Sequence, residues 1–132
     1  MKIQILPLVT GAQKATGLTV IIDVFRAFSL EAYMYASGAK KVIPVKTVEE
    51  ALALKKENPS YILVGERKGI KVEGFDYGNS PSEFAGVDLS GKTLIHTTSA
   101  GVLGLASAVN ASQIVTGALV NAKATAKYIL AQ

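Results

Sequence analysis

The run Leu18-Thr-Val-Ile-Ile-Asp-Val24 constrains the fold more than any other stretch, because it is β-branched and almost continuously apolar. A strand wet on one face alternates polar and apolar residues, whereas a strand covered on both faces has no need to. The run therefore predicts a central parallel strand with helices on both sides. Immediately after it, Leu30, Tyr33, Met34 and Ser37 fall at helical spacing, and Gly38 supplies a stop. Strand and helix follow one another directly.

The same alternation continues along the chain. Val42–Val45 reads as a short strand, and Thr47-Val-Glu-Glu50 is a capping box that opens a helix ending near Asn58-Pro59. Tyr61–Val64 and Thr93–Thr97 read as strands, Ala100–Val109 as a helix of small residues, and Gln113–Thr116 as a further strand. Asn121 is expected to cap a last helix that runs through Leu130. At the other end, Lys2–Leu6 alternates polar and apolar residues and suits a strand stopped at Pro7. Strands alternating with helices predict an α/β fold with a mostly parallel sheet and helices on both faces. With 132 residues and 49% hydrophobic content, the chain is expected to form a single α/β domain over residues 1–132 with a core of its own.

Composition narrows the function classes. The formal net charge is +4, but the basic residues are spread as Lys40-Lys41, Lys55-Lys56, Arg67-Lys68 and Lys123/Lys127. Nucleic-acid binding calls for a concentrated basic footprint, so no nucleic acid is expected as a partner. A small anionic ligand suits this charge better. With no cysteine, the chain has no disulfide, no thiol catalysis and no thiolate metal site. The first residues do not form a signal peptide, and no apolar stretch reaches spanning length. The expectation is a cytoplasmic protein with no membrane partner. No phosphate-loop or dinucleotide motif is present, since Gly65-Glu-Arg-Lys-Gly69 has neither spacing.

The stretch Gly65–Phe84 lacks clear periodicity yet holds Glu66, Arg67, Lys68, Lys71, Glu73, Asp76, Asn79, Ser80 and Glu83. That mixture reads as a site loop. Its end, Ser80-Pro81-Ser82-Glu83, also carries the signature of a short helix start. In open parallel sheets, sites lie beyond the carboxyl ends of the strands. Four polar groups fall there: Asp23, Arg26 and Ser29; Glu66 and Arg67; Thr97, Thr98 and Ser99; and Asn121. The long loop is expected to lie over them.

Asp23, Glu66 and Asp76 make a hard oxygen set suited to Mg²⁺. Asp23 has a structural alternative, capping a helix or pairing with Arg26. Arg26 and Arg67 present forked donors that match phosphate, sulfonate or carboxylate, or a salt bridge to the neighbouring Asp23 and Glu66. Thr97-Thr98-Ser99 offers hydroxyls and N–H groups at a helix start, which serves an anion cradle or an ordinary cap. His96, the sole histidine, stands in an apolar strand and reads as a hydrogen-bonded core residue.

Together Asp23-Val-Phe-Arg-Ala-Phe-Ser29, Val42-Ile-Pro-Val45, Gly65-Glu-Arg67, Glu73-Gly-Phe-Asp-Tyr-Gly-Asn-Ser-Pro81, Gly91-Lys-Thr93 and Thr97-Thr-Ser99 resemble the 2-phosphosulfolactate phosphatase family. The resemblance implies a three-layer α/β/α fold and Mg²⁺-dependent hydrolysis of 2-phospho-3-sulfolactate, a step towards coenzyme M. It implies catalytic roles for Asp23, Arg26, Glu66 and Arg67, metal binding by Asp23, Glu66 and Asp76, and substrate contacts from Ser29, Asn79, Ser80, Thr97, Thr98 and Ser99. Departures from the family pattern at Phe25, Phe28 and Ala100 leave a second reading: a non-catalytic anion-binding or oligomerisation domain. Because family members continue beyond the point matching Gln132, the resemblance also implies a homo-oligomer or a partner chain that supplies the other half.

Overall fold

A computed structural model describes residues 1–132. The protein is α/β with mostly parallel pairing, as expected, but its strands form two ladders rather than one sheet. The larger has the order β2 (Lys41–Pro44), β5 (Thr93–Thr97), β3 (Ile62–Arg67), β4 (Ile70–Lys71), parallel except for the β3–β4 hairpin. The smaller pairs β1 (Gly17–Ile22) with β6 (Ala111–Gly117), also in parallel. The helices are α1 (Leu8–Ala12), α2 (Ala27–Ala36), α3 (Val48–Glu57), α4 (Gly101–Ser107) and α5 (Ala122–Leu130). Single 3₁₀ turns occupy Pro81–Phe84 and Leu119–Asn121.

Strand alternation divides the core of the larger sheet between its two faces. Val64 and Leu94 pack with Leu30 and Met34 of α2, Phe84 and Leu89 on one face. Leu63 and Ile95 pack with Ala51 of α3, Val45 and Phe75 on the other. Helices therefore cover both faces of this sheet. A third cluster joins Ala27 and Phe28 of α2 to Val102 of α4 and Ala118. Apolar residues on more than one side let α2 bridge the two ladders. Phe28 is fully buried there, so this departure from the family pattern is a core residue.

Local signals place several elements well. The Thr47 hydroxyl accepts from the Glu50 N–H at 3.1 Å, and the Glu50 carboxylate accepts from the Lys46 and Thr47 N–H groups, which completes the capping box. Thr93–Thr97 is a strand with the bounds read from the sequence.

Three expectations are corrected. Lys2–Leu6 forms no strand and pairs with no ladder, and the first helix begins instead at Leu8. β1 is not central. It has one neighbour, its residues Leu18–Ile21 are only half-buried, and Ile22 is exposed. Asn121 stands at the start of α5 without capping it by its side chain. Its amide braces the preceding turn, accepting from the Ala118 N–H at 2.8 Å and donating to the Thr116 carbonyl at 3.1 Å. No helix is long and apolar enough to cross a membrane.

Candidate functional site at the strand ends

The carboxyl ends of β1, β2, β3 and β5 are tied together by short polar contacts, and this is where sequence-distant groups meet. After β1 the chain turns through Asp23–Arg26, with a cis peptide bond between Phe25 and Arg26, and enters α2. The carboxylate of Asp23 rests against Gly101 at the start of α4. A Cβ built on Gly101 would lie 2.4 Å from Asp23 Oδ2, so only glycine allows this approach. Burial raises the Asp23 carboxyl above the usual aspartate range, against the N–H groups of Ala27 and Gly101, which favour its charge. The alternative ion pair with Arg26 is not formed. Arg26 is half-buried, and its guanidinium makes no hydrogen bond or ion pair within the chain.

Glu66 is placed differently. It is buried, yet its two oxygens accept from the Ser99 N–H (2.7 Å), the Gly69 N–H (2.7 Å) and the Ser99 hydroxyl (3.1 Å). Burial alone pushes its pKa up. The Ser99 and Gly69 N–H groups, the Ser99 hydroxyl and the nearby Arg67 outweigh that, and the carboxyl is held below the usual glutamate range. The expected salt bridge of Arg67 to the Glu66 carboxylate is absent. Arg67 donates instead to the Glu66 backbone carbonyl (2.7 Å), the Lys46 carbonyl (3.1 Å) and the Thr97 hydroxyl (2.8 Å). Glu66 and Arg67 thus fasten the ends of β2, β3 and β5 to one another. The close approach of β3 to β5 requires Gly65, whose added Cβ would lie 2.3 Å from the Thr97 carbonyl oxygen.

Other residues expected at the site have partners of their own. The Ser29 hydroxyl donates to the Val24 carbonyl at 2.7 Å, and the Thr98 hydroxyl accepts from the Val102 N–H at 3.1 Å. Ser99 also accepts the Lys68 N–H at 3.1 Å, and Ser80 bonds to Ser82. Asn79 is buried, with its amide 3.2 Å from His96 Nε2. His96 has no exposed surface and meets Glu31 of α2 through Nδ1, also at 3.2 Å. The histidine is the hydrogen-bonded core residue expected. Its partner Glu31 was missed; the signal was a lone carboxylate among the apolar positions of α2, matched by a lone histidine in an apolar strand.

The three carboxylates expected to share a cation do not gather. Asp76 lies at the opposite end of β3, where its Oδ2 accepts from the Leu63 N–H at 2.7 Å and faces Lys55 Nζ at 3.9 Å. No three His, Cys, Asp or Glu side chains stand close enough to hold a metal ion together.

The long stretch from Gly65 also differs from its expected place. It opens as a hairpin, Glu66 opposite Lys71 and Arg67 opposite Ile70, around Lys68 and Gly69, both at positive φ. It then runs beside β3. Tyr77 N–H donates to the Leu63 carbonyl and Gly65 N–H to the Tyr77 carbonyl, at 3.0 and 3.1 Å. Phe75 and Phe84 enter the cores on opposite faces of the sheet. Beyond Arg67 this segment closes the sheet edge rather than lying over the strand ends.

The arrangement defines an α/β protein with a carboxylate, an arginine without internal partners, and helix starts assembled at the carboxyl ends of parallel strands. The model of the 2-phosphosulpholactate phosphatase family matches residues 5–132, and the chain belongs to this family. It is 41% identical over 112 residues to the "Probable 2-phosphosulfolactate phosphatase" of Bacillus subtilis (strain 168), covering 85% of this chain and 49% of that relative. The proteins of the same name from Carboxydothermus hydrogenoformans and Clostridium tetani are 48% and 46% identical, each over 84% of this chain and 46% and 48% of their own lengths. The chain spans about half the length of the curated relatives it matches.

Proposed function

We propose that this chain carries the phosphate-ester site of a 2-phosphosulfolactate-type phosphatase, acting on a small anionic phosphate ester. The observation that carries this reading is the placement of Asp23 against Gly101, between the first residues of α2 and α4 and beside an arginine with no internal partner. The Arg26 fork, with no bond inside the chain and close in sequence to a carboxylate set between two helix starts, suits phosphoryl or sulfonate oxygens. With Glu66 and Arg67 spent on internal bonds, Asp23 and Arg26 are the pair left for chemistry.

In this reading Arg26 binds the phosphoryl oxygens and stabilises the charge that grows on them. Asp23 orients the attacking water, whose oxygen bonds to phosphorus as the P–O ester bond breaks and the alcohol leaves with a proton. Of the three carboxylates expected to hold magnesium, only Asp23 would be left to bind it, since Mg²⁺ is often held by one or two carboxylates together with a substrate phosphate. When bound, it would supply charge neutralisation at the phosphoryl group.

The test is phosphate release from 2-phosphosulfolactate and from an aryl phosphate, with magnesium and with chelator. Asp23→Asn and Arg26→Ala should each lower turnover by about 10²–10⁴-fold, the range of a positioned acid–base or charge-stabilising group. Turnover unaffected by both changes would remove the site from these residues. A second reading, a non-catalytic anion-binding domain, is favoured by how many of the polar groups are already satisfied internally. It predicts no turnover in the folded chain but retained binding of inorganic phosphate, lost in Arg26→Ala.

A further inference from the structure

The hairpin between β3 and β4 turns at the carboxyl end of β3, the same end of the sheet as Asp23. Its two turn residues, Lys68 and Gly69, have φ of 54° and 80°, and Arg67 pairs with Ile70 across them. A two-residue turn with both φ positive matches the twist of its strands, and it favours asparagine, aspartate or glycine at the first position and glycine at the second. Gly69 meets that demand. Lysine at the first position does not, because its Cβ crowds the following carbonyl oxygen.

The turn is also pinned to the site. The Lys68 N–H donates to the Ser99 hydroxyl at 3.1 Å and the Gly69 N–H to the Glu66 carboxylate at 2.7 Å, while Glu66 holds the Ser99 N–H. Ser99 is two residues from Gly101, whose added Cβ would meet the Asp23 carboxylate, and two residues of chain span at most about 7 Å. Every contact that sets this turn comes from residues 66–99. Lys68 itself is exposed, and its ammonium makes no hydrogen bond or ion pair within the chain.

We infer that Lys68 is a specificity-determining residue that binds a second anionic group of the substrate, a sulfonate or carboxylate, while the phosphate ester lies at Asp23 and Arg26. This rests on the phosphatase reading above. A position that asparagine or glycine would fill with less strain carries a long cation instead, at the margin of the site. The neighbouring cation, Arg67, is spent on three oxygens within the chain. Lysine is a point charge with three donors, so it takes sulfonate and carboxylate alike.

The test compares phenyl phosphate, which has no second anion, 2-phospholactate, which adds a carboxylate, and 2-phosphosulfolactate, which adds a sulfonate as well. Calorimetry on the 132-residue chain in chelator reads binding without turnover. Lys68→Asn should reduce the preference for 2-phosphosulfolactate over phenyl phosphate about 10-fold, and Lys68→Arg should keep most of it. The step of the series that loses the preference tells carboxylate from sulfonate. Because asparagine suits the turn, Lys68→Asn should unfold at an equal or higher urea concentration than the parent. Lower stability would assign the lysine to the turn itself and overturn the inference. An unchanged preference in Lys68→Asn, with Arg26→Ala weakening every ligand, overturns the role of Lys68 alone. Binding indifferent to Arg26→Ala, or no binding by the parent chain, overturns the phosphatase reading and this inference with it.

Discussion

The two ladders are built from similar residues and held very differently. In β3 and β5, Val64, Leu94 and Ile95 have at most traces of exposed surface because α2 covers one face and α3 the other. In the β1–β6 pair, Ser112–Ile114 are exposed, Ile22 is 71% exposed, and α5, which packs on β6, buries no residue at all. A β-branched apolar run marks strand-forming potential, but its stability comes from whatever covers it. The larger sheet should therefore behave as the stable body of the protein and the smaller one as its labile margin.

The sharpest test of that contrast is a pair of truncations. Leu94→Ala should cost about 2–5 kcal/mol in urea unfolding, because it empties space in a closed core. Leu130→Ala, on a 77% exposed helix position, should stay within about 0.5 kcal/mol. Equal costs would erase the distinction between body and margin.

Glu66→Ala comes next, since it orphans two backbone N–H groups and a hydroxyl at the end of β3. A loss of about 1–3 kcal/mol is expected from unsatisfied buried partners. The same carboxylate predicts a pH response. Its folded pKa is depressed, so its stabilisation is present at neutral pH and fades as pH falls below about 4.3 through the folded value. Glu66→Gln should flatten that acid limb of the stability curve.

Asp23 should act in the opposite sense. Its folded pKa is raised, so its contribution is most favourable at acid pH and is lost as pH rises through the folded value. Asp23→Asn, measured in chelator, should leave the fold equally or slightly more stable at neutral pH while activity collapses. A clear destabilisation there would assign Asp23 to structure rather than to chemistry. The smallest effect concerns dynamics alone: amides of β6 and α5 should exchange faster than those of β5, as hydrogen exchange reads directly.

Much of this was legible in the chain. The capping box at Thr47–Glu50, the bounds of Thr93–Thr97 and the buried character of His96 all follow from local chemistry, and each is found. The carboxyl ends of the strands were also identifiable as the meeting point of Asp23, Glu66, Arg67 and Ser99. The division of labour among these residues was not legible. Glu66 and Asp23 are both carboxylates after apolar strands. One meets three donors contributed by two loops, while the other meets only two helix starts. Asp76 looked like a third member because its motif is polar and glycine-rich, yet it serves the Leu63 N–H at the far end of β3.

By itself the sequence determined most of the strands and helices from Gly17 onward, though not the short β4, because φ/ψ preference and periodicity are properties of a few neighbouring residues. Tertiary structure alone decided that β1 pairs only with β6, that the stretch from Gly69 to Phe84 guards a sheet edge, and that Lys2–Leu6 is left without a partner. Backbone hydrogen bonds between strands depend on which edges meet, and that is settled by contacts among residues far apart in the chain.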